Sequence, residues 1–155
     1  MRIRLLFVGK LKESFTRDGC EHYLGKLKRF FTVEQTLLKD APAKLPAEEK
    51  KRAEGETILK ALTPKDFVIA LDEHGKECTS RQLAQQLTRW IEDPSRTPCF
   101  LIGGPFGLSE EAKNRADITI ALGKPTWPHE LCRVMLLEQL YRAASINKGL
   151  PYHHD

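Results

Sequence analysis

No apolar run in this chain approaches the ~18 residues needed to cross a bilayer, so no membrane partner is expected. Cysteine is sparse: Cys20, Cys78, Cys99 and Cys132 stand apart with no C-x-x-C pair. Reduced, partly buried thiols fit that scatter better than a disulfide framework does. The five histidines, His22, His74, His129, His153 and His154, form neither an H-x-x-x-H nor an H-E-x-x-H pair. A zinc site needs about four well-spaced ligands, so no metal is expected. The phosphate-cradling G-x-x-x-x-G-K-[ST] motif is absent. The run Gly103-Gly104-Pro105-Phe106-Gly107 does not fit G-x-G-x-x-G, and its proline would disturb a phosphate turn. That disfavours a nicotinamide-dependent oxidoreductase. There is no serine nucleophile elbow, no catalytic triad, no internal repeat, and no linker that divides the chain. The start, Met1 to Lys10, carries two arginines and a short apolar run. It is too short for a signal peptide and no small-residue cleavage site follows, so it reads as a first strand, and the expected compartment is the cytoplasm.

What is present is an ordinary globular composition: 155 residues, 41% hydrophobic and 30% charged, with a net charge of +4. The length suits one domain, residues 1–155. The charge permits an anionic partner without demanding one. Arg2–Val8 reads as a strand buried on both faces. Residues 16–31 follow helical spacing, with Cys20, Tyr23, Leu24, Leu27, Phe30 and Phe31 on one stripe. Thr32–Leu38 reads as a second strand. Residues 47–62 read as a peripheral helix with Pro46 as its first helical residue. Residues 67–71 read as a central strand, and residues 72–76 as the loop after it. Thr79 opens a helix, with Gln82 completing a capping box and Leu83, Leu87, Trp90 and Ile91 buried. Residues 99–102 form another strand. Ser109 caps a short helix whose Glu110 and Glu111 suit its positive end. Residues 117–122 are the last strand, residues 130–146 the last helix, and residues 147–155 a tail. Strands alternating with helices argue for an α/β fold with a mostly parallel sheet flanked by helices.

In an open α/β sheet, ligands bind at the loops that follow the strands' carboxyl ends. Three such loops, 71–76, 103–107 and 123–128, each carry glycine. A glycine lets backbone come close to a ligand, which suits an adenine edge and a ribose; equally, it only makes a tight turn. His129, at the start of the last helix, reads as an imidazole paired with backbone. The middle of that helix is apolar nearly all round. It is either deep in the core or shared with a second subunit, and both remain open. Lys26, Lys28 and Arg29, with Lys50, Lys51 and Arg52, read first as solvated helix faces that are also able to meet phosphates. Arg133, Arg142 and Lys148 are isolated basic positions.

Several of these segments carry a resemblance. The start Leu5-Leu6-Phe7-Val8-Gly9-Lys10-Leu11-Lys12-Glu13 is one and the run Phe100 to Leu108 another. The turn Trp127-Pro128-His129, the helix from Arg133 to Ala143 and the ending Pro151-Tyr152-His153 complete an ordered set. Together they resemble the RlmH family of ribosomal RNA large-subunit methyltransferases, in the SPOUT superfamily, over essentially the whole chain. The resemblance implies a C-terminal trefoil knot, which topology rules otherwise nearly forbid. It also implies S-adenosylmethionine as the methyl donor, a homodimer with the last helix at its interface, and methylation at N3 of a pseudouridine in 23S rRNA within the assembled 70S ribosome. Carried over by position, the cofactor contacts fall on Leu71, Gly103 and Gly104, and on Gly123, Lys124, Pro125, Thr126, Trp127 and Pro128. Tyr152 and His153 match the family's tail and are expected near the target base, His153 as a proton acceptor and Tyr152 as a positioner.

Two positions depart from the family pattern. Phe106 stands where the family often has a polar residue, and His154 where it usually has arginine or lysine; histidine is mostly neutral near pH 7. From a different class, a ribosome-binding module without catalytic activity remains the alternative.

Overall fold

The computed structural model describes residues 1–154; the last residue of the predicted tail, Asp155, lies outside the described residues. Ten elements follow in alternation. They are β1 (Arg2–Val8), α1 (Ser14–Leu27), β2 (Thr32–Leu38), α2 (Ala47–Ala61) and β3 (Asp66–Glu77), then α3 (Ser80–Glu92), β4 (Thr97–Ile102), α4 (Glu110–Arg115), β5 (Ile118–Ala121) and α5 (His129–Asn147). The strands form one sheet in the order β2-β1-β4-β3-β5, and every pairing between them is parallel.

Both faces of the sheet are covered, which explains the continuous apolar runs Leu5 to Val8 in β1 and Cys99 to Ile102 in β4. On one face, Ile3, Leu5, Phe7, Ile69 and Phe100 pack with Leu27 of α1, Leu83 and Leu87 of α3, and Leu136, Leu137 and Leu140 of α5. On the other, Leu6, Val8, Val68, Ala70, Cys99 and Leu101 pack with Ile58 of α2 and Ala112 of α4. Strand side chains alternate between faces, so one apolar run serves two cores. α5 is buried along Leu136, Leu137, Leu140, Ala143 and Ala144, while Val134, Met135, Tyr141 and Arg142 remain half-buried.

Three expectations need correction. The first helix spans Ser14–Leu27 rather than 16–31. Phe30 and Phe31 turn back on the carbonyl of Leu27, and Thr32 then pairs with Met1 to open β2. Its early start has a tertiary cause. Glu13, at the cap position, offers no capping side chain; the free N–H groups of Lys12 and Glu13 donate instead to Glu130 of α5, at 2.8 and 3.2 Å. Pro46 lies one position outside α2, at its cap. The expected loop at 72–76 is inside a strand. β3 continues to Glu77, bulging between Leu71 and Lys76, both of which register with Ile120 of β5. Gly75 permits this return, because a Cβ there would lie 2.6 Å from the Ile120 carbonyl carbon. Arg133, an isolated basic position in the sequence, is only 1% exposed.

The predicted caps are present. Thr79 and Gln82 form the reciprocal capping box of α3, and Ser109 accepts from the Ala112 N–H at the start of α4. The four cysteines are free, and no group of metal-ligating side chains occurs among the described residues. No helix among the described residues is long and apolar enough to cross a membrane.

Candidate active site

The carboxyl ends of β3, β4 and β5 lie side by side because β3 sits between the other two. The segments leaving these ends enclose a cleft of about 370 Å³, within the range of small-molecule sites. Of the residues expected to hold a cofactor, Leu71, Gly103, Gly104, Gly123, Pro125, Thr126 and Trp127 line it; Lys124 and Pro128 do not. Both of those are exposed, and Pro128 serves as the cap of α5.

The cleft walls are held by short-range bonds. Trp127 Nε1 donates to the Leu122 carbonyl at 2.9 Å, which folds the segment after β5 back on itself. Gly123, with φ of +90°, makes that reversal; side chains other than glycine rarely adopt it. Thr126 donates to Glu73, which ties this segment to the β3 bulge. Lys113 of α4 pairs with Asp72 at 3.3 Å. The turn after β4 closes on itself, with the Gly107 N–H donating to the Gly104 carbonyl at 3.0 Å.

Gly103 and Gly104 have a reason that the sequence did not show. A Cβ on Gly103 would meet Leu108 at 2.9 Å, and one on Gly104 would meet the Glu54 carboxylate at 2.6 Å. Their bareness serves the protein's own packing, so these two glycines do not by themselves separate an enzyme from a binding module. Glu54 is itself buried; burial pushes its carboxyl above the usual range, against the opposing hydrogen bond from the Ala41 N–H.

The donor set fits a methyl donor that carries a nucleoside and a zwitterionic tail. Leu71, Ile102, Leu108, Leu122 and Trp127 supply apolar wall, and Asp72 and Glu73 supply carboxylates for cationic groups. Spacing had not marked Lys51, Lys113, His129 or Cys132 for the cleft, yet all four line it. Lys51 comes from a helix read as a solvated face, and Cys132 lies one turn past His129 on α5. The imidazole of His129 is half-buried. Burial and the neighbouring Arg133 lower its pKa below the ordinary 6.5, against the pull of Glu130 and Asp40.

Glu130 anchors this corner. One carboxylate oxygen accepts from the N–H groups of Lys12 and Glu13 and from the Thr16 hydroxyl. Burial pushes its pKa up, but these bonds outweigh burial and hold it below the ordinary 4.5. A depressed folded-state pKa adds stability above the unfolded value and loses it as the pH falls through the folded one. Glu130→Gln is therefore expected to lower the urea midpoint at pH 7, and the gap to the parent protein should narrow as the pH falls below the ordinary 4.5. A gap that persists unchanged at pH 3 would show that the carboxylate charge contributes nothing.

The predicted catalytic pair lies elsewhere. Tyr152 donates to Glu138 at 3.2 Å, stands edge-on to Tyr141 at 4.6 Å and lies under Arg142 at 4.9 Å and Lys26 at 5.5 Å. Burial first, then contact with Tyr23 and Glu138, drives its hydroxyl pKa upward. His153 Nδ1 is buried without a hydrogen-bond partner among the described residues. From Cys132 at the cleft to Tyr141 under the tail is roughly 14 Å along α5, at 1.5 Å per residue. Tyr152 and His153 thus do not line the cleft.

Known proteins give the following likenesses. A family model described as predicted SPOUT methyltransferase matches residues 1–153. The ribosomal RNA large subunit methyltransferase H of Maridesulfovibrio salexigens is 56% identical over 153 residues, covering 99% of this chain and 98% of that protein. The protein of the same name from Solidesulfovibrio magneticus is 50% identical over 152 residues, covering 98% of each. Among solved structures, a probable methyltransferase from Bordetella pertussis matches with a TM-score of 0.59 at 15% identity, covering 93% of this chain and 95% of that one. A probable methylase family protein from Haemophilus influenzae matches with a TM-score of 0.58 at 13% identity, covering 99% of this chain and 70% of that one. At such identities the structural likeness concerns the fold alone.

Proposed function

The chain belongs to the SPOUT methyltransferase family, in the group of ribosomal RNA large subunit methyltransferases H, and from that premise we propose that it methylates N3 of a pseudouridine in 23S rRNA. S-adenosylmethionine is the methyl donor, the assembled 70S ribosome the substrate, and the working form a cytoplasmic homodimer. In this reading residues 1–155 act as one SPOUT domain with a C-terminal trefoil knot.

The cleft carries the proposal: seven of the nine residues expected at the cofactor line one cavity at the carboxyl edge of the sheet. S-adenosylmethionine supplies a methyl group already activated by its sulfonium charge, so no metal has to polarise it. What the chain must do is align the nucleophile with that methyl, which is catalysis by position. Leu71, Gly103 and the segment from Gly123 to Trp127 would hold the donor, with Asp72 and Glu73 offering negative charge to its cationic groups. The target base must leave its stack to reach such a cleft, so an accessible loop nucleotide is expected.

The distance between the tail and the cleft supports the dimer. Tyr152 and His153 can serve the target base if they reach the cleft of the partner protomer. The half-buried Val134, Met135, Tyr141 and Arg142 of α5 would then lie at the interface.

The deciding measurement is transfer of labelled methyl from S-adenosylmethionine to unmethylated 70S ribosomes, followed by mapping of the nucleotide. Label on one pseudouridine of 23S rRNA is the expected result. Donor binding without transfer to ribosomes or to free rRNA would favour the non-catalytic binding module instead.

A further inference from the structure

We propose that His129 receives the N3 proton of the target base, and that the buried charge of Arg133 one turn away tunes its imidazole for that task. The inference deepens the methyltransferase reading above and rests on it.

Three histidines compete for the role. His74 lines the cleft, but its side chain is 82% exposed and leans on Glu73 at 3.4 Å, so nothing rigid holds it. His153 does not line this chain's cleft; in the dimer reading it comes from the partner's tail, where it and Tyr152 hold the base. His129 lines the cleft from the first position of α5 and is half-buried there. Its backbone is fixed by Pro128 on one side, and by Glu130, clamped onto the start of α1, on the other.

One helical turn further on is a buried cation. Arg133 is 1% exposed and its guanidinium stacks over the Phe7 ring at 5.2 Å. Nη2 donates to the Val8 carbonyl, while Nε and Nη1 have no hydrogen-bond partner among the described residues. A guanidinium in the interior with two idle donors is costly, so its retention calls for a reason other than stability. Its position supplies one, because a fixed positive charge one turn from an imidazole disfavours a second positive charge there. The charged groups facing His129 are Arg133 and Glu130 on α5, Asp40 after β2 and Lys12 before α1. Burial, Arg133 and Lys12 oppose protonation, and they outweigh Glu130 and Asp40. The imidazole therefore meets substrate uncharged, with a free lone pair, at neutral pH.

The step balances without a further reactant. The N3–H bond breaks and its proton passes to the imidazole. The N3 electron pair forms the bond to the methyl carbon, the carbon–sulfur bond breaks, and its pair stays on sulfur. One positive charge, on sulfonium before, is on imidazolium after. Arg133 then favours loss of that proton to solvent, which resets the site.

The test uses the full-length protein with unmethylated 70S ribosomes in single-turnover experiments across pH, alongside calorimetry for S-adenosylmethionine. Expected for His129→Gln and His129→Ala is a rate lower by about 10²–10⁴-fold. Donor affinity should stay within about twofold and the half-saturating ribosome concentration within about threefold, because the lost contact is made in the reacting state. The acid limb of the parent pH profile should vanish in His129→Gln, and free imidazole should restore part of the His129→Ala rate. Arg133→Met, which keeps the volume and removes the charge, should move the acid limb to higher pH. An active parent with a His129→Gln rate above half of normal overturns the assignment, as does loss of donor binding in place of rate. A parent that labels no rRNA at all overturns the methyltransferase reading, and this inference with it.

Discussion

Co-expressed in one cell, a cleft-blocked variant and a tail-deficient variant should together give methyl transfer that neither gives alone. Thr126→Trp blocks the cleft. Thr126 is exposed, lines the cavity and makes one side-chain bond, to Glu73, so an indole there fills space at little cost to the fold. The double substitution Tyr152→Ala and His153→Ala removes the tail's functional groups. Each homodimer should fall about 10²-fold or more in rate, the scale of losing alignment at the reacting centre. In a two-fold dimer whose cleft takes the partner's tail, a mixed pair keeps one complete site: the unblocked cleft of one chain with the intact tail of the other. Random pairing makes about half of the dimers mixed, so about a quarter of the normal sites survive. A mixture as inactive as its parts would place the tail's role within its own protomer, or outside catalysis. The expectation follows from the roughly 14 Å of α5 between Cys132 and the Tyr141 ring beneath the tail; no side-chain rotation spans that distance.

Local chemistry was legible in the sequence. Thr79 and Gln82 announce the start of α3 three residues apart, and Ser109 announces α4, because a cap is complete within one turn. The apolar run Leu5 to Val8 shows a strand covered on both sides, and alternation with helical segments shows the parallel sheet. Non-local causes were not legible. The polar string from Asp72 to Lys76 looks like a loop, and nothing nearby reveals that β5 recaptures the chain at Lys76. α1 starts at Ser14 because Glu130, far along the chain, accepts from the N–H groups of Lys12 and Glu13 just before it. Arg133 looks like a surface cation because charge normally means exposure, while its burial depends on Phe7 and Val8 of β1. At the site, the glycine-bearing segments pointed to the cleft, since that rule depends only on strand ends. Lys113 did not stand out, and Lys51 stood out only as part of a basic cluster, because both enter from helices beside the sheet. The separation of tail and cleft was equally hidden, since resemblance assigns residues to one function without saying which protomer supplies them.

Asp66→Ala should unfold the protein far more readily while leaving the cleft's chemistry intact in the molecules that remain folded. Asp66 is 1% exposed, and a single carboxylate oxygen accepts from Arg4 Nη1 at 2.5 Å, from the Thr63 N–H at 2.7 Å and from the Thr63 hydroxyl at 3.0 Å. Arg4 also reaches Glu34 on β2 at 3.1 Å, so one carboxylate ties the entry of β3 to β1 and, through Arg4, to the edge strand. Removing one partner of a buried pair leaves the other charge uncompensated, at about 3–5 kcal/mol. Arg4 is 14% exposed and keeps the half-exposed Glu34, which favours the lower end, about 3 kcal/mol. For a chain of this size that corresponds to a fall of about 6–12 °C in Tm. Asp66→Asn, which keeps an acceptor and loses the charge, should fall less. Replacing both partners, as in Arg4→Met with Asp66→Leu, should recover much of the loss, because a matched apolar pair carries no desolvation debt. A loss below about 1 kcal/mol for Asp66→Ala, the size of an exposed ion pair, would mean that solvent already reaches this corner. Asp66 opens β3 at the end of the sheet remote from the cleft, so methyl transfer per folded molecule should match the parent. Stability and chemistry are thus placed at opposite ends of the same strand, and one substitution at each end separates them.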